Sequence, residues 1–124
     1  MTIYQRMQSV FDAADVKGYL QTRETSEGDT SLPDTYCDYV IIQDGSALDA
    51  DDCELVHRSD VRVDLHGKRD TSAALARLLD ALEAAGFEYS AVRHLDGMHG
   101  SKYKYHKRIA ATHFAYETEV NDNG

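Results

Sequence analysis

The sequence predicts an α+β fold, with a mostly antiparallel sheet of four to five strands and two helices packed on one face. Two segments each carry one apolar stripe at helical spacing, and several others alternate apolar and polar residues as half-buried strands do. The predicted order is α-β-β-β-α-β-β, which differs from the regular alternation of parallel α/β proteins. A chain of 124 residues is long enough for one domain with one modest core.

The first helix is predicted to begin after Thr2 and to end before Gly18. Thr2 and Gln5 have the spacing of a capping box, in which each side chain binds the backbone N–H of the other residue. The apolar face of this helix is formed by Ile3, Met7, Val10, Phe11 and Ala14. A short strand over residues 19–23 and a polar surface loop over residues 24–34 are expected to follow.

The middle of the chain predicts a β-hairpin. Residues 36–43 and 54–66 are rich in β-branched and aromatic residues, and residues 44–52 between them form an acidic turn region. Residues 40–42 are continuously apolar, which indicates a strand that is at least partly covered on both sides.

The two cysteines are too few and too far apart for a disulfide framework or a zinc site. With a hairpin turn centred near residues 47 and 48, Cys37 would pair with Arg58 and Cys53 with Ile42. This register predicts that both thiols are unpaired.

The second hairpin strand is predicted to separate an apolar face from a polar face. Val61, Val63 and Leu65 point one way, while Arg62, Asp64 and His66 point the other. Asp60 would share the polar side with Asp64 and His66. On an exposed strand face, such a carboxylate–histidine group favours a structural role over a catalytic one.

The second helix is predicted over residues 71–85, with Asp70 or Thr71 as its cap. Its apolar stripe is formed by Leu75, Leu78, Leu79, Leu82 and Ala85. Gly86 suits the left-handed position after the helix, and Phe87 would then close over Leu82.

Two strands complete the predicted fold. They are expected over residues 88–95 and 106–117, with a loop containing glycine, lysine and tyrosine over residues 96–105. Residues 118–124 are predicted to form a flexible tail.

The acidic charge of the chain is concentrated in its first half. The net charge is −9, and residues 1–60 hold 4 basic and 13 acidic residues, whereas residues 61–124 hold 9 of each. This asymmetry argues against nucleic-acid affinity through most of the surface. No apolar run approaches the roughly 18 residues of a membrane span, and the first residues lack a secretory apolar region. We therefore expect a protein without membrane contact that is found in the cytoplasm.

Six histidines raise the question of a metal site: His57, His66, His94, His99, His106 and His113. The closest pairs, His94 with His99 and His99 with His106, both span the predicted loop, and neither has an obvious third ligand. No nucleophile elbow is present either. We expect no metal, no cofactor and no enzymatic activity.

An acidic segment is the first candidate interaction surface. Its carboxylate residues are Asp44, Asp49, Asp51, Asp52 and Glu54. The segment resembles a calcium loop in composition only, because the required register of ligands is missing. A solvated hairpin tip and a docking surface are both compatible with it.

A basic segment is the second candidate surface. Its residues are Lys102, Tyr103, Lys104, Tyr105, Lys107 and Arg108, with His106 among them. Alternating cations and aromatic rings are typical of single-stranded nucleic-acid platforms, but no RNA-binding motif surrounds them. The favoured interpretation is a loop that enters an edge strand, with charges that discourage pairing with the sheet of another molecule. A protein contact is the next interpretation.

The order of elements and several local phrases resemble the tail terminator family of long-tailed bacteriophages and prophages, also called tail completion or minor tail proteins. The resemblance covers residues 7–117. Its phrases are Leu32-Pro33 ahead of Tyr39-Val40-Ile41-Ile42, then Val61-Arg62-Val63-Asp64-Leu65-His66-Gly67-Lys68, a helix ending in Ala85-Gly86-Phe87, and a last strand with His106, Arg108 and Phe114-Ala115-Tyr116.

The resemblance implies a virion structural protein. Family members form a ring, commonly a hexamer, on the last ring of the tail tube. That ring ends polymerisation of the tube protein and offers a docking surface to the connector or stopper of the head. Genomic DNA passes through the lumen, where an acidic wall would repel phosphate and prevent specific binding. The family supplies no catalytic residues, and its isolated members can be monomers.

Three alternatives remain open at the level of sequence. A head-completion or stopper protein of the phage neck shares the same layout. A small histidine-based, metal-dependent enzyme would need at least three histidines and an acid to converge. A nucleic-acid-binding accessory protein would use residues 102–108.

Overall fold

The structure is a computed structural model that describes residues 1–21, 32–50, 53–97 and 102–116 of the chain. Within these residues the chain forms two helices and five strands, which confirms the predicted α+β class and the order of elements. They are α1 (Ile3–Ala14), β1 (Lys17–Leu20), β2 (Thr35–Ala50), β3 (Cys53–Gly67), α2 (Ser72–Ala84), β4 (Phe87–His94) and β5 (Tyr105–Tyr116). The predicted tail at residues 118–124 lies outside the described residues.

The five strands form one sheet in the order β1-β2-β3-β5-β4. β1 runs parallel to β2, and every other neighbouring pair is antiparallel. β5, the last strand in sequence, therefore lies inside the sheet, and β1 and β4 are its edges. The interpretation of residues 102–108 as a loop entering an edge strand is wrong. The cations at positions 107 and 108 are instead held by carboxylates of this chain.

Both helices pack against one face of the sheet and share its core. The strands contribute alternate residues to this face, as their period of two requires. The fully buried large side chains of the core include Met7, Val10, Phe11, Val61, Val63, Leu65, Leu78, Leu82 and Ile109. The predicted division of β3 into an apolar and a polar face is confirmed.

Helix α1 begins and ends with specific backbone contacts. The capping box is confirmed, because Thr2 Oγ1 accepts from the Gln5 N–H at 3.2 Å and Gln5 Oε1 accepts from the Thr2 N–H at 2.8 Å. The helix stops at Asp15, whose φ of 55° is left-handed. Arg77 Nε of α2 donates to the carbonyl of Ala14 at 2.9 Å and ties the two helices together.

Helix α2 is capped by Asp70 and ended by a glycine. Asp70 Oδ1 accepts from the backbone N–H of Ser72 at 2.9 Å, whereas Thr71, at the N-cap position, makes no side-chain capping bond. Gly86 follows the helix with a φ of 88°, and Phe87 behind it is buried in the core. The predicted left-handed position of Gly86 is confirmed, and Phe87 and Leu82 both belong to the core.

The register of the central hairpin differs from the predicted one. β2 and β3 pair from Thr35 opposite Gly67 to Ala50 opposite Cys53, so the register is not the one centred near residues 47 and 48. Cys37 is consequently opposite Leu65, and the predicted pairing with Arg58 is wrong. Cys53 is opposite Ala50, and its predicted partner Ile42 is also wrong.

The acidic segment up to residue 50 belongs to strand β2. The pairing of β2 with β3 continues through this segment, with three register shifts between residues 41 and 49. The expectation that residues 40–42 are covered on both sides fails at Ile42, which is 61% exposed. The predicted strand over residues 19–23 is β1 at Lys17–Leu20 instead.

The hairpin extends beyond its neighbours in the sheet. β1 pairs with β2 only as far as Tyr39, and β5 pairs with β3 only as far as Val56. Within the described part of the chain, residues 49–50 and 53–54 are therefore paired only with each other across the hairpin. We call residues 44–54 the acidic ribbon.

Candidate functional site

The face of the sheet opposite the helices carries a cluster of polar and aromatic side chains. We call it the helix-free face, because α1 and α2 both lie on the other side. Its central members are Tyr36 and Asp38 of β2, Arg62, Asp64 and His66 of β3, and His106 and Arg108 of β5. Several are buried although no helix covers them, since these side chains cover one another.

Asp64 lies at the centre of this cluster with only 4% of its surface exposed. His106 Nε2 lies 3.2 Å and Arg108 Nε lies 2.8 Å from its Oδ1. Burial alone would raise the pKa of Asp64, but the hydrogen bonds and positive charges of His106 and Arg108 lower this pKa to about 2. The carboxylate is therefore ionised at neutral pH and holds β3 to β5.

Arg62 extends this network toward the first edge of the sheet. Its Nε lies 3.5 Å from Asp64 Oδ2, and its terminal nitrogen donates to Gln21 Oε1 at 3.2 Å. The Arg62 side chain thus crosses over β2 on this face and connects β3 to the residue that follows β1.

An aromatic row crosses four strands at one end of the helix-free face. The ring centroids of Tyr19 and Tyr36 are 6.1 Å apart, those of Tyr36 and His66 are 4.9 Å apart, and those of His66 and His106 are 4.4 Å apart. The last two pairs are stacked. Rigid rings in contact across strands stabilise the sheet register, which is the function that this geometry supports for the two histidines.

Asp38 stands beside the aromatic row and is almost fully buried. His66 Nε2 lies 3.3 Å from Asp38 Oδ2, within ion-pair distance but without hydrogen-bond geometry. Asp38 Oδ1 has no hydrogen-bond partner among the described residues.

The histidines do not converge on one point in the described part of the chain. His66 and His106 are stacked, His57 contacts Asp44 at 2.7 Å, and His113 packs against Phe87 on the helix side. No group of three or more potential metal ligands occurs among the described residues, which do not include His99.

Cys37 is a buried core residue with a free thiol. Burial, together with the negative charges of Asp38 and Asp64, raises the pKa of the Cys37 thiol far above its usual range. A protonated thiol without solvent access is a poor nucleophile, so Cys37 acts as a small apolar residue.

The basic segment is divided between the surface and the interior. Lys102 and Lys104 are exposed, whereas the hydroxyl of Tyr103 donates to the carbonyl of Pro33 at 2.8 Å. Lys107 is buried, with its Nζ 2.5 Å from Asp96 Oδ2. Tyr105 is half-buried at the start of β5, and Arg108 binds Asp64. Lys102 and Lys104 are therefore the fully exposed cations of this segment, and Arg108 is half-buried.

The acidic ribbon is described in part. Asp44 Oδ1 accepts from Ser59 Oγ at 2.6 Å and lies 2.7 Å from His57 Nε2. Asp49 and Glu54 are opposite each other in the backbone register. Asp51 and Asp52 lie outside the described residues.

A shallow groove of about 510 Å³ lies in the middle of the helix-free face. We call it the arginine groove, because its lining includes Arg58, Arg62, Arg93 and Arg108. Ala91 and Ala110 are opposite each other on β4 and β5 and form its floor. Sequence reasoning missed this group, because the four arginines come from three strands whose order in the sheet differs from their order in the chain.

In comparisons with known proteins, no family model and no curated protein matches this chain. Of the helices in the described residues, neither is long and apolar enough to cross a membrane.

Proposed function

We propose that this protein is a tail terminator, or a closely related head–tail joining protein, of a long-tailed bacteriophage or prophage. The proposal rests on the resemblance given above and is supported by one structural observation. Asp64, from the phrase at residues 61–68, binds both His106 and Arg108, from the phrase in the last strand. Phrases about 40 residues apart thus form one constellation in the sheet, as the parts of a single family pattern would.

In this proposal the protein acts by assembly and docking. Copies of the chain form a ring, commonly a hexamer, that caps the last ring of the tail tube and stops its growth. The opposite side of the ring offers a surface to the head connector or stopper. Genomic DNA passes through the lumen without specific binding, and the net charge of −9 favours this because it repels phosphate.

A ring with more than two subunits needs two different patches on each subunit, one of which meets the other on the neighbour. The acidic ribbon is one candidate, since its end extends past the rest of the sheet. The exposed part of the basic segment, Lys102 and Lys104, is another, for contact with a neighbour, the tube or the head.

Negative-stain electron microscopy over a range of protein concentrations, with light scattering for mass, tests the proposal. We expect closed rings of one size with a central hole, and binding of these rings to the ends of purified tail tubes. A monomer or a twofold dimer at every concentration, together with no binding to tubes, would reject it. Binding to purified connectors but not to tubes would instead identify a stopper or head-completion protein.

The double variant Lys102→Glu/Lys104→Glu tests the basic segment within the same assays. We expect weaker ring assembly or weaker tube binding, because both exposed cations are reversed. Unchanged assembly and tube binding would remove this segment from the interface. A salt-dependent DNA affinity that the double variant abolishes would support the nucleic-acid-binding alternative.

A further inference from the structure

We infer that the arginine groove of one protomer receives the acidic ribbon of a neighbouring copy. The inference rests on the proposed ring and names the contact between its subunits. The groove differs from the exposed cations Lys102 and Lys104, because it lies on the sheet itself and its arginines come from β3, β4 and β5. Arg108 is the one residue that the groove shares with the basic segment.

The charge of the groove is opposite to the charge of the whole protein. Its lining holds four arginines and one carboxylate, Asp60, and the buried Asp64 adjoins it. Two positive charges thus remain in excess locally on a chain with a net charge of −9. Arg58 is engaged by both oxygens of Asp60, at 3.1 and 3.0 Å. Arg93 is exposed and has no side-chain partner among the described residues, so it is available to an incoming carboxylate.

The shape of the groove suits a narrow polypeptide segment. The small side chains of Ala91 and Ala110 form the bottom of the groove, and the longer arginine side chains form its walls. Ile42 lines one side and is 61% exposed, which offers an apolar contact beside the charges. Guanidinium groups bind carboxylates in a planar, two-bonded geometry, so this combination favours an acidic strand or hairpin as the ligand.

The acidic ribbon has the chemistry that the groove would recognise. Residues 44–54 include five carboxylates and no lysine or arginine. Asp49 and Glu54 are opposite each other in the backbone register, so both strands of the ribbon carry carboxylate residues. Guanidinium groups are the complementary partners for such a segment.

The ribbon of the same molecule cannot fill the groove. Glu54 and Arg62 belong to one continuous strand, β3, and are separated by eight residues, or about 26 Å at the usual rise of a strand. An unbroken strand does not fold back on its own middle. A ribbon that fills the groove therefore belongs to a second copy, and this head-to-tail contact can repeat around a ring.

Two complementary variants test the inference. Arg93→Glu damages the groove and leaves the ribbon intact, and its new carboxylate lies opposite Arg108, a pairing that the fold tolerates. The variant Asp49→Lys/Glu54→Lys damages the ribbon and leaves the groove intact. Sedimentation velocity measures self-association of each variant and of their mixture, and Arg69→Glu, an exposed cation outside the groove, is the matched control.

We expect each damaged variant to need a roughly tenfold higher concentration than wild type to associate, while Arg69→Glu behaves as wild type. The mixture should form a 1:1 dimer and nothing larger, because it contains one intact ribbon and one intact groove per pair. Wild-type rings that persist in both variants would overturn the inference and leave the ring function standing. Separate loss in each variant without a dimer in the mixture would overturn it too. A wild-type protein that never self-associates would also overturn the inference. Binding to tail tubes would then test the proposed function separately.

Discussion

At Asp64, a carboxylate in the middle of the sheet accepts hydrogen bonds from a histidine and an arginine of the adjacent strand. Removing a carboxylate from water is costly unless such partners replace the lost hydration. Here Arg108 and His106 supply them, with Arg62 nearby at 3.5 Å. The cluster therefore depends on the ionised form of one residue, and protonation of that residue should weaken the fold.

Asp64→Asn should reduce the acid sensitivity of the protein. The pKa of Asp64 is about 2 in the folded state and 3.8 as the reference value, so the unfolded state binds the proton first as pH falls. Between about pH 5 and pH 2, wild type should lose about 2 kcal/mol of unfolding free energy that the variant does not lose. Urea unfolding at a series of pH values measures this, with the exposed Asp80→Asn as the control. Parallel curves for wild type and Asp64→Asn would refute it.

Lys107 is buried in the structure, although the sequence places it in a basic segment expected at the surface. Its Nζ contacts Asp96 Oδ2. The other oxygen of Asp96 accepts from the backbone N–H of His106 at 2.8 Å. The hydrogen bond from Lys107, followed by that from His106, lowers the pKa of Asp96 despite some burial. This pair ties the segment that follows β4 to the start of β5.

Charge reversal should therefore change the free energy of unfolding by very different amounts at two positions of one short segment. Lys107→Glu should reduce the free energy of unfolding by about 1–3 kcal/mol, because it places a carboxylate at a buried position and against that of Asp96, whose side chain is 41% exposed. Lys102→Glu, at an exposed position, should change it by less than about 0.5 kcal/mol. Midpoints of urea unfolding measure both. If the two variants were equally stable, the buried assignment of Lys107 would be incorrect.

Among the secondary-structure elements, α1 and β1 approach each other through a glycine. The ring of Phe11 packs directly on Gly18, so that a Cβ added there would collide with Phe11 Cδ2 and Cε2. Phe11 itself is fully buried in the core. The close approach of this strand to the helix thus depends on the missing side chain at one position.

Gly18→Ala should destabilise the protein by about 1–3 kcal/mol, the usual cost of overpacking a filled core. Gly45→Ala is the matched control, because a Cβ at that position has no atom within 4 Å. We expect the control to unfold within about 0.5 kcal/mol of wild type. Thermal unfolding of the two variants compares them directly. A Gly18→Ala protein as stable as Gly45→Ala would show that β1 can shift away from Phe11 without cost.

Local signals predicted the elements well, because capping, periodicity and alternation act over a few residues. The capping box at Thr2 and the stop at Gly86 are examples, and the two faces of β3 followed from its alternation. The extent of β2 was not predictable in this way. Residues 44–50 resemble a turn by composition, yet they pair with β3 through bulges that the sequence does not reveal.

The candidate site was predictable only in part, for a related reason. Arg62, Asp64 and His66 were placed on one side of a strand, and the structure confirms this. Their partners His106 and Arg108 were not identified, because pairing of β3 with β5 depends on the strand order of the whole sheet. The arginine groove was missed for the same reason.

For the whole molecule, the uneven charge of the sequence corresponds to surfaces at different places in the fold. The acidic ribbon is at one end of a long hairpin, while four arginines surround a groove at the middle of the helix-free face. A uniformly acidic molecule would repel its own copies, whereas opposite charges on separate patches favour one relative orientation. The proposed ring uses this separation of charge.

The position of β5 between β3 and β4 has a consequence for biosynthesis. A nascent chain can close its hairpin once residue 67 has left the ribosome, but the two halves of the sheet stay unjoined until residues 105–116 follow. The groove needs Arg62, Arg108 and Arg93 from three different strands, so an incomplete chain displays an acidic ribbon without a receptor for it. In the proposed ring, a chain therefore cannot receive the ribbon of a neighbour until its last strand has been made and has paired.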